Sequence, residues 1–518
     1  MLCAQCTRRA SLFGAGRRVS SAGALAHSGT TETSGSSTGT GCGAFESARP
    51  FHEIPRVKQW PFVGSLPLYR FVAENRGWAR ETTLHVFEPE DARVVFANEG
   101  AHPRIIPLQE TALLYRKMRQ FSLGLGNMNG EEWYRLRSAV QHAMMRPQAV
   151  RQYFPLVNQV AIDLADRIES VRQSNAGGLV VGFRKLISRW SLETSGLLVF
   201  EKRLGALSND AARIAWATAM LASNEEMFKI SGELKFALPF FRYFPTPRWR
   251  KLVKSEDLFY REARQLIKEA VDRLRINKDA TTKIDDSETE RHDQQRENLK
   301  FMGYLANRDE LSKEDVTIIA FSLFGDGLNT TAPTLIYNLY CLAVNPDAQQ
   351  QLFDECLKVA VDNVNGDILA SMKWLNACMR ETFRLYPIGT DVNRMPANDV
   401  VLSGYQVPAG TACEINMGPI LVSEALFDLP LEFRPERWMR DSEQYVGRKI
   451  HPFALTPFGH GPRMCAGRRF AEQDIRVVLY HLVRRFAIGY LGARPMQQKM
   501  ETLLLPDGPC EFTFRPRN

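Results

Sequence analysis

Apolar side chains recur every three or four positions over most of the chain, from about residue 131 to residue 387. This spacing puts an apolar stripe along one face of each segment and predicts a succession of amphipathic α-helices. Short apolar runs follow at Val400–Leu402 and at residues 411–415, and these predict strands. The pattern therefore predicts a mainly α fold with a smaller β region.

The longest predicted helix extends from residue 312 to about residue 345. Ser312 and Asp315 have the spacing of a capping box, and Asn345 followed by a proline marks the end. The centre of this helix holds residues that break helix rules, namely Gly325, Asp326, Gly327, Asn329, Thr330, Thr331 and Pro333. Pro333 has no NH for the carbonyl four residues before it, so a kink is predicted. Polar groups in the middle of an otherwise apolar helix indicate a functional pocket. The alternative is a bend that is tolerated for packing.

No linker rich in Pro, Gly or Ser divides the chain after about Pro50, so residues 46–518 are expected to form a single domain. Residues 277–298 are polar and rich in charge, and they predict a surface loop. The nine cysteines are odd in number and scattered, which favours a reducing compartment over a disulfide framework. The formal charge of +8 comes from Lys and Arg interleaved with Asp and Glu. That pattern favours a basic docking face for an acidic protein and argues against nucleic acid.

The first 45 residues have the composition of an organelle transit peptide. Residues 1–31 contain no Asp or Glu, while Arg8, Arg9, Arg17 and Arg18 lie among Ser, Ala, Gly and Leu. A disordered tail is the alternative. Cys3 and Cys6 have the spacing of a metal pair, but no second pair follows them.

No uninterrupted apolar run reaches the roughly 18 residues that a membrane-spanning helix needs. Residues 236–251 instead mix aromatic side chains with cations and prolines. This mixture suits contact with a membrane surface, and a buried turn between helices is the alternative.

A glycine-rich segment near the carboxyl end surrounds one cysteine. Its five defined positions are Phe458, Gly461, Arg463, Cys465 and Gly467, and Gly459 is a further glycine within it. The glycines let the backbone approach a flat ligand, and a nearby cation helps to hold a thiolate ionised. The segment resembles the haem-binding signature of the cytochrome P-450 superfamily, and the resemblance covers the chain from about residue 50 to the end.

The resemblance implies the cytochrome P-450 fold, with haem between the long kinked helix and the cysteine loop. It implies haem b with Cys465 as the axial ligand of iron, and a monooxygenase that uses O2 as co-substrate. Trp133, Arg137, Arg394 and Arg463 fall where the family binds the haem propionates, and Phe458 and Gly459 fall beside the cysteine. Guanidinium groups suit such carboxylates.

Glu381 and Arg384 match a Glu-x-x-Arg helix motif of the family, and Arg437 matches its third member. Three-residue spacing puts Glu381 and Arg384 on one helix face, where a carboxylate can accept two guanidinium bonds. The resemblance implies a structural role for this ion network.

Thr330 matches the distal hydroxyl that steadies oxygen and its proton chain in the family. The residue before it is usually acidic, whereas this chain has Asn329, which does not titrate. Either solvent alone relays protons or another acid substitutes. Asp326 lies four residues before Thr330 and so shares its helix face, and we hypothesise that Asp326 takes over the relay.

The leader and the paired arginines after the cysteine resemble the mitochondrial branch of the family. That resemblance implies a place at the matrix side of the inner membrane, in peripheral contact with it. It also implies electrons from an acidic 2Fe–2S ferredoxin, which its reductase supplies from NADPH. The implied docking residues are Arg380, Arg468, Arg469 and Lys373; the branch commonly has lysine at Asn376.

Residues 190–205 are similar to mitochondrial sterol and vitamin D hydroxylases, and residues 407–411 and 458–461 are similar to arthropod ecdysteroid hydroxylases. The implied substrate is an apolar steroid, sterol or secosteroid. Pocket positions carried over by location are Met118, Phe121, Phe324, Ile388, Thr390, Val392 and Leu504. The alternatives are a mitochondrial detoxifying oxygenase of broad specificity, an electron-independent enzyme that rearranges peroxides, and a non-catalytic haem protein used for binding or sensing.

Overall fold

The computed structural model describes residues 41–55, 83–107, 109–235, 237–281, 300–308, 310–439 and 450–517. Most of the predicted transit peptide therefore lies outside the described residues, as do residues 282–298 of the predicted loop. The residues at the start of that loop belong to a helix that continues to Thr281. No helix within the described ranges combines the length and the apolar character that crossing a bilayer requires.

Helices dominate the architecture, as the sequence pattern predicts. Those before residue 300 are α1 Gly41–Ser47, α2 Pro89–Ala97, α3 Glu110–Met118, α4 Gly130–Met145, α5 Pro147–Gln173, α6 Phe183–Phe200, α7 Ala211–Lys235 and α8 Pro247–Thr281. Those after it are α9 Phe301–Ala306, α10 Lys313–Leu328, α11 Thr331–Ala343, α12 Pro346–Leu357, α13 Gly366–Ser371, α14 Lys373–Leu385, α15 Met417–Leu421 and α16 Arg468–Arg485. Single 3₁₀ turns lie at Phe51–Glu53, Ala176–Gly178, Pro239–Arg242, Val361–Asn363 and Pro435–Trp438.

Short strands form small sheets beside the helices. They are β1 Thr83–Val86, β2 Asp391–Arg394, β3 Val400–Leu402, β4 Tyr405–Val407, β5 Ala412–Asn416, β6 Phe486–Tyr490, β7 Gln497–Met500, β8 Leu504–Asp507 and β9 Phe512–Pro516. One sheet has the order β1-β5-β2, with β1 parallel and β2 antiparallel to β5. The pairs β3–β4, β6–β9 and β7–β8 are antiparallel. Both predicted strands are confirmed, the second shifted by one residue to Ala412–Asn416.

The helical core is built from apolar stripes at three- and four-residue spacing. Helix α5 buries one such face against α16, and α10 packs on α6, α8 and α9. A second, smaller apolar cluster joins α2 to the sheet that contains β5. Large side chains such as Trp190, Tyr337 and Tyr480 are completely buried, which makes this core the main source of stability.

The predicted long helix is divided into α10 and α11. Its start is as expected: the Ser312 Oγ accepts a hydrogen bond from the Asp315 NH at 3.1 Å, and the Asp315 carboxylate accepts one from the Ser312 NH at 2.9 Å. Asn329 and Thr330 separate the two helices, and Pro333 falls in the first turn of α11. A proline is tolerated in a first turn because its missing NH would have no helical partner there. The break therefore lies at the polar residues, before the proline.

A buried ion network ties α14 to the segment that precedes the cysteine loop. Glu381 accepts hydrogen bonds from Arg384 at 2.7 and 3.0 Å and from Arg437 at 3.1 Å. The Trp438 indole NH adds another at 2.9 Å. Arg384 also donates to the Leu421 carbonyl at 2.9 Å. Because Glu381 and Arg384 are fully buried, each needs the other to offset the cost of desolvation.

Candidate functional site

The cysteine loop is a series of tight turns that delivers Cys465 to the start of α16. The Cys465 NH donates to the Phe458 carbonyl at 2.8 Å, and the Met464 NH donates to the Gly461 carbonyl at 3.0 Å. Gly459 and Gly461 have φ angles of 70° and 76°. Side chains rarely adopt this left-handed region, so glycine is needed at both positions. The Phe458 ring packs edge-on against Phe383, which anchors the loop to α14.

Cys465 is exposed, yet protein surrounds it closely enough that burial raises the pKa of the thiol. From these two observations we infer that its sulfur faces a cavity inside the molecule. The NH groups of Gly467 and Arg468 at the start of α16, together with Arg137, act in the opposite direction. Hydrogen bonds and the positive end of a helix favour a thiolate. A sulfur in this setting suits coordination to a metal inside the cavity.

Asp326 of α10 has the same combination of properties. It is exposed, yet burial raises its pKa to about 6, and we infer that it faces the same cavity. Arg116 acts in the opposite direction on Asp326, and Asp326 in turn raises the pKa of Cys465. The cavity is therefore bounded by the polar turn of α10 and by the cysteine loop.

Thr330 lies at the break between α10 and α11. Its Oγ1 donates to the Asp326 carbonyl at 3.0 Å, and the Gly327 carbonyl is 3.5 Å away. The connection between Thr330 and Asp326 thus runs through the backbone and does not use the carboxylate. The amide nitrogen of Asn329 is buried and has no hydrogen-bond partner among the described residues. These three residues make the break polar, as the sequence suggests.

Three guanidinium groups lie around the cysteine loop; those of Arg137 and Arg394 are buried and that of Arg463 is half-buried. Arg137 donates to the Met464 carbonyl at 2.5 Å, and its Nε is buried without a partner in the described part of the chain. Arg463 donates from Nε to the Pro103 carbonyl at 2.7 Å and stacks 4.1 Å from the Trp133 ring centre. Arg394 forms an ion pair with Glu99 at 2.5 Å.

The charge balance of this cluster calls for further anions. Burial lowers the pKa of Arg137, Arg394 and Arg463, the last to about 10. Repulsion by Arg394 lowers the pKa of Arg137 and Arg463 further. Glu99 is the buried carboxylate that forms an ion pair with one of them. A ligand with two carboxylates beside a metal bound to Cys465 would supply the missing negative charge. The residues present therefore fit haem.

The predicted pocket residues divide into two groups. Ile388 and Leu504 come together, since the Leu504 NH donates to the Ile388 carbonyl at 2.9 Å. Thr390 accepts from the Met417 NH at 2.6 Å, and Val392 lies half-buried in β2 opposite Ile415.

The remaining pocket positions are placed elsewhere. Phe324 is fully buried between the rings of Phe200 and Phe259 in the helical core, and its place in the pocket stays a prediction. Phe121 stacks on Tyr260 of α8 with 4.7 Å between ring centres and lines an outer groove. Met118 is exposed at the end of α3.

The predicted docking cations lie on α14 and at the start of α16. The Arg476 Nε of α16 donates to the Asn376 Oδ1 of α14 at 2.8 Å, and this bond joins the two helices. We define the basic face as Lys373, Arg380, Arg468, Arg469 and Arg476. Arg468 and Arg476 both bind Glu472, while Lys373, Arg380 and Arg469 are exposed.

Sequence reasoning missed Glu99 and Arg476. Arg476 could have been found from its position, two helical turns after Arg469 on the same helix. Glu99 follows α2 in a polar turn, and nothing in its neighbours along the sequence separates it from a solvated glutamate.

Comparison with known proteins agrees with this geometry. The family model described as "Cytochrome P450" matches residues 77–514. The chain is 42% identical over 495 residues to "Probable cytochrome P450 CYP44" of Caenorhabditis elegans, an alignment that covers 90% of this chain and 94% of that protein. It is 31% identical over 455 residues to "Probable cytochrome P450 12a5, mitochondrial" of Drosophila melanogaster, and this alignment covers 84% of this chain and 81% of that protein. It is 28% identical over 496 residues to "Cytochrome P450 10" of Lymnaea stagnalis, and this alignment covers 90% of this chain and 86% of that protein.

Proposed function

Because the chain belongs to the cytochrome P450 family, and is therefore a haem-thiolate monooxygenase, we propose that it hydroxylates an apolar steroid or sterol with electrons from a ferredoxin. The observation that carries the haem assignment is the Cys465 sulfur, which we infer to face an internal cavity bordered by guanidinium groups. When bound there, haem with a thiolate ligand supplies the activation of O2. The protein must then hold the cofactor, place the substrate and manage protons.

Four side chains are proposed to hold the haem propionates. Arg137 and Arg394 are buried and Arg463 is half-buried, and the three cations lack enough anions of their own. Trp133 supports the guanidinium of Arg463 by stacking. Guanidinium groups donate in a planar fork that matches a carboxylate. The loss of any one of them should weaken haem retention more than it weakens the fold.

Proton supply is proposed to depend on Asp326 and Thr330. With a pKa raised to about 6, the Asp326 carboxyl exchanges its proton near neutral pH, which suits a general acid. The Thr330 hydroxyl donates a hydrogen bond to the Asp326 carbonyl. Its Oγ1 lone pairs therefore remain available to accept a hydrogen bond from a donor in the cavity. Asn329 supplies no titrating group, and Asp326 takes that role.

Electrons are proposed to arrive at the basic face. Two of its cations, Arg468 and Arg469, begin α16 soon after Cys465, so a docked carrier would lie close to the sulfur side of the cavity. An acidic 2Fe–2S ferredoxin, reduced by its reductase from NADPH, has complementary charge. Relatives whose names include "mitochondrial" support the mitochondrial location that this donor requires.

Contact with a membrane is proposed through an aromatic patch between α7 and α8. Leu238, Phe240, Tyr243 and Phe244 are 49 to 71% exposed, and Arg248 and Lys251 lie beside them. Exposed apolar side chains flanked by cations suit a surface of anionic lipid. We propose peripheral attachment to the matrix side of the inner mitochondrial membrane.

The substrate proposal is tested by titration of the purified ferric protein. A panel of ecdysteroids, sterols, secosteroids and unrelated apolar drugs is added while the Soret band is followed for the shift caused by loss of water from iron. Binding compounds are then incubated with ferredoxin, ferredoxin reductase and NADPH, and hydroxylated products are measured. We expect micromolar binding and a single product from a steroid. Equal turnover of many unrelated compounds would instead identify an oxygenase of broad specificity.

A further inference from the structure

Glu99 is a buried carboxylate in the turn that follows α2. Only 3% of its surface is exposed, and its Oε2 accepts a hydrogen bond from the Arg394 Nε at 2.5 Å. The two residues are separated by 295 positions in sequence, so tertiary structure alone brings them together. A pair this deeply buried costs desolvation energy and needs well-formed geometry to persist.

The second carboxylate oxygen of Glu99 is packed against the cysteine loop. A Cβ at position 461 would lie 1.7 Å from the Glu99 Oε1, so the loop can pass this carboxylate only because residue 461 is glycine. The same oxygen has no hydrogen-bond partner among the described residues. Glu99 therefore shapes the turn that leads to Cys465, and its Oε1 remains able to accept a hydrogen bond.

Arg394 completes the connection from the other side. Its Nη2 donates to the His460 carbonyl at 3.2 Å, and its guanidinium lies over the Phe96 ring of α2 at 5.4 Å. The His460 ring also packs on Phe96. The Glu99–Arg394 pair thus joins α2, β2 and the cysteine loop at one point.

Glu99 also adds a negative charge to a site that is otherwise rich in cations. Burial raises the pKa of Glu99, whereas Arg394 and Arg463 act in the opposite direction. Its partner Arg394 is one of the guanidinium groups assigned to a haem propionate. A carboxylate on the far side of that guanidinium both fixes its orientation and offsets part of its charge.

We propose that Glu99 is a positioning residue of the haem site: it holds Arg394 for a propionate, and its negative charge lowers the reduction potential of the haem. The inference rests on haem binding at Cys465 and is independent of the proposed substrate and electron donor. A nearby negative charge favours the ferric state because reduction adds an electron to the same region.

The test compares Glu99→Gln with the wild-type holoprotein. The reduced fraction of haem is measured in equilibrium with a redox dye under nitrogen, without substrate or ferredoxin, and haem transfer to excess apomyoglobin is timed. We expect a several-fold larger ratio of ferrous to ferric haem and several-fold faster transfer. Glu90→Gln is the matched control, because Glu90 is an exposed glutamate of α2 paired with Arg93, and it should leave both quantities unchanged.

Glu99→Asp separates charge from position. It keeps the charge but withdraws the carboxylate by one carbon, so we expect faster haem transfer with a reduced fraction close to wild type. If Glu99→Gln does not yield haemoprotein, the rate of haem transfer from Glu99→Asp to apomyoglobin decides whether the proposal holds. A Gln variant with wild-type reduced fraction and transfer rate, or an Asp variant with wild-type transfer, overturns the proposal. Because no substrate or ferredoxin is present, an error in the proposed function cannot produce these results.

Discussion

The Thr330 hydroxyl donates a hydrogen bond to the backbone carbonyl of Asp326, at 3.0 Å, across the last turn of α10. This bond anchors Thr330 at the helix break while leaving the Asp326 carboxyl free to face the cavity. The two residues therefore have separable roles, one as a positioned hydroxyl and the other as a titrating acid.

Replacing Asp326 with Asn should uncouple electron use from product formation. The carboxyl is lost, but the carbonyl that holds Thr330 remains. We expect product per NADPH to fall roughly tenfold or more, with peroxide accounting for the difference, since positioned acids contribute about 10² to 10⁴ in rate. In the wild type, coupling should decline as pH rises through about 6, where the carboxyl loses its proton, and the variant should lack this dependence. Glu314→Gln, at an exposed position of the same helix, is the control; unchanged coupling in Asp326→Asn would contradict the relay.

Reversing a charge on the basic face should weaken binding of ferredoxin. Arg469→Glu is expected to raise the KM for ferredoxin about tenfold with little change in kcat, because exposed charges act mainly on encounter. Reduction of the wild type, followed by stopped flow, should slow as ionic strength rises. Arg261→Glu is the matched control: Arg261 is 71% exposed on α8, away from this face. A reduction rate that is insensitive to salt would count against docking at the basic face.

Charge placed in the aromatic patch should release the protein from membranes. Phe240→Asp and Phe244→Asp each remove a ring that stacks on the other, with ring centres 5.8 Å apart, and add a group that lipid disfavours. We expect the fraction that co-sediments with cardiolipin-containing vesicles to fall several-fold. Leu491→Asp makes the same kind of change at a residue that is 57% exposed outside the patch, and it should bind like wild type. Equal losses in all three variants would argue against a specific membrane face.

Asp474 should make the fold less stable as the solution becomes more alkaline. It is buried in α16, where burial raises its pKa to about 8 although a hydrogen bond with Thr194 opposes the shift. An unfolded Asp titrates near 3.9, so the folded state holds the proton more tightly and stability falls between about pH 4 and pH 8. Asp474→Asn removes this loss.

Equilibrium unfolding in denaturant, measured at pH 5 and pH 8, checks the effect of Asp474. The advantage of Asp474→Asn over wild type should grow by up to ~4 kcal/mol across this interval. Glu53→Gln, which neutralises an exposed carboxylate, should show no such growth. A constant difference between wild type and Asp474→Asn would mean that the carboxyl does not titrate in this range.

Local sequence signals predict several structural features around the candidate site. The helix break follows from glycines, polar residues and a proline within a few positions, and the pairing of Glu381 with Arg384 follows from three-residue spacing. The cysteine loop is recognisable because glycines are required at fixed positions. Each of these features is decided by residues that are close together in the chain.

Features that depend on distant contacts could not be predicted in this way. Both faces of α10 are apolar, so periodicity cannot tell whether Phe324 lies on the cavity side or the core side. The bond between Arg476 and Asn376 joins residues 100 positions apart. The Glu99–Arg394 pair is more remote still, and only the assembled sheet and helix bring it together.

The close packing of Gly461 on the Glu99 carboxylate links these two positions in any directed-evolution experiment. A library that varies residue 461 alone, with glutamate kept at position 99, meets a steric collision at every substitution. Shorter side chains at position 99 would remove that collision, but residue 461 would still have a φ of 76°, a backbone conformation that favours glycine. Productive variants of this turn are therefore expected to vary residue 99 and to keep glycine at 461.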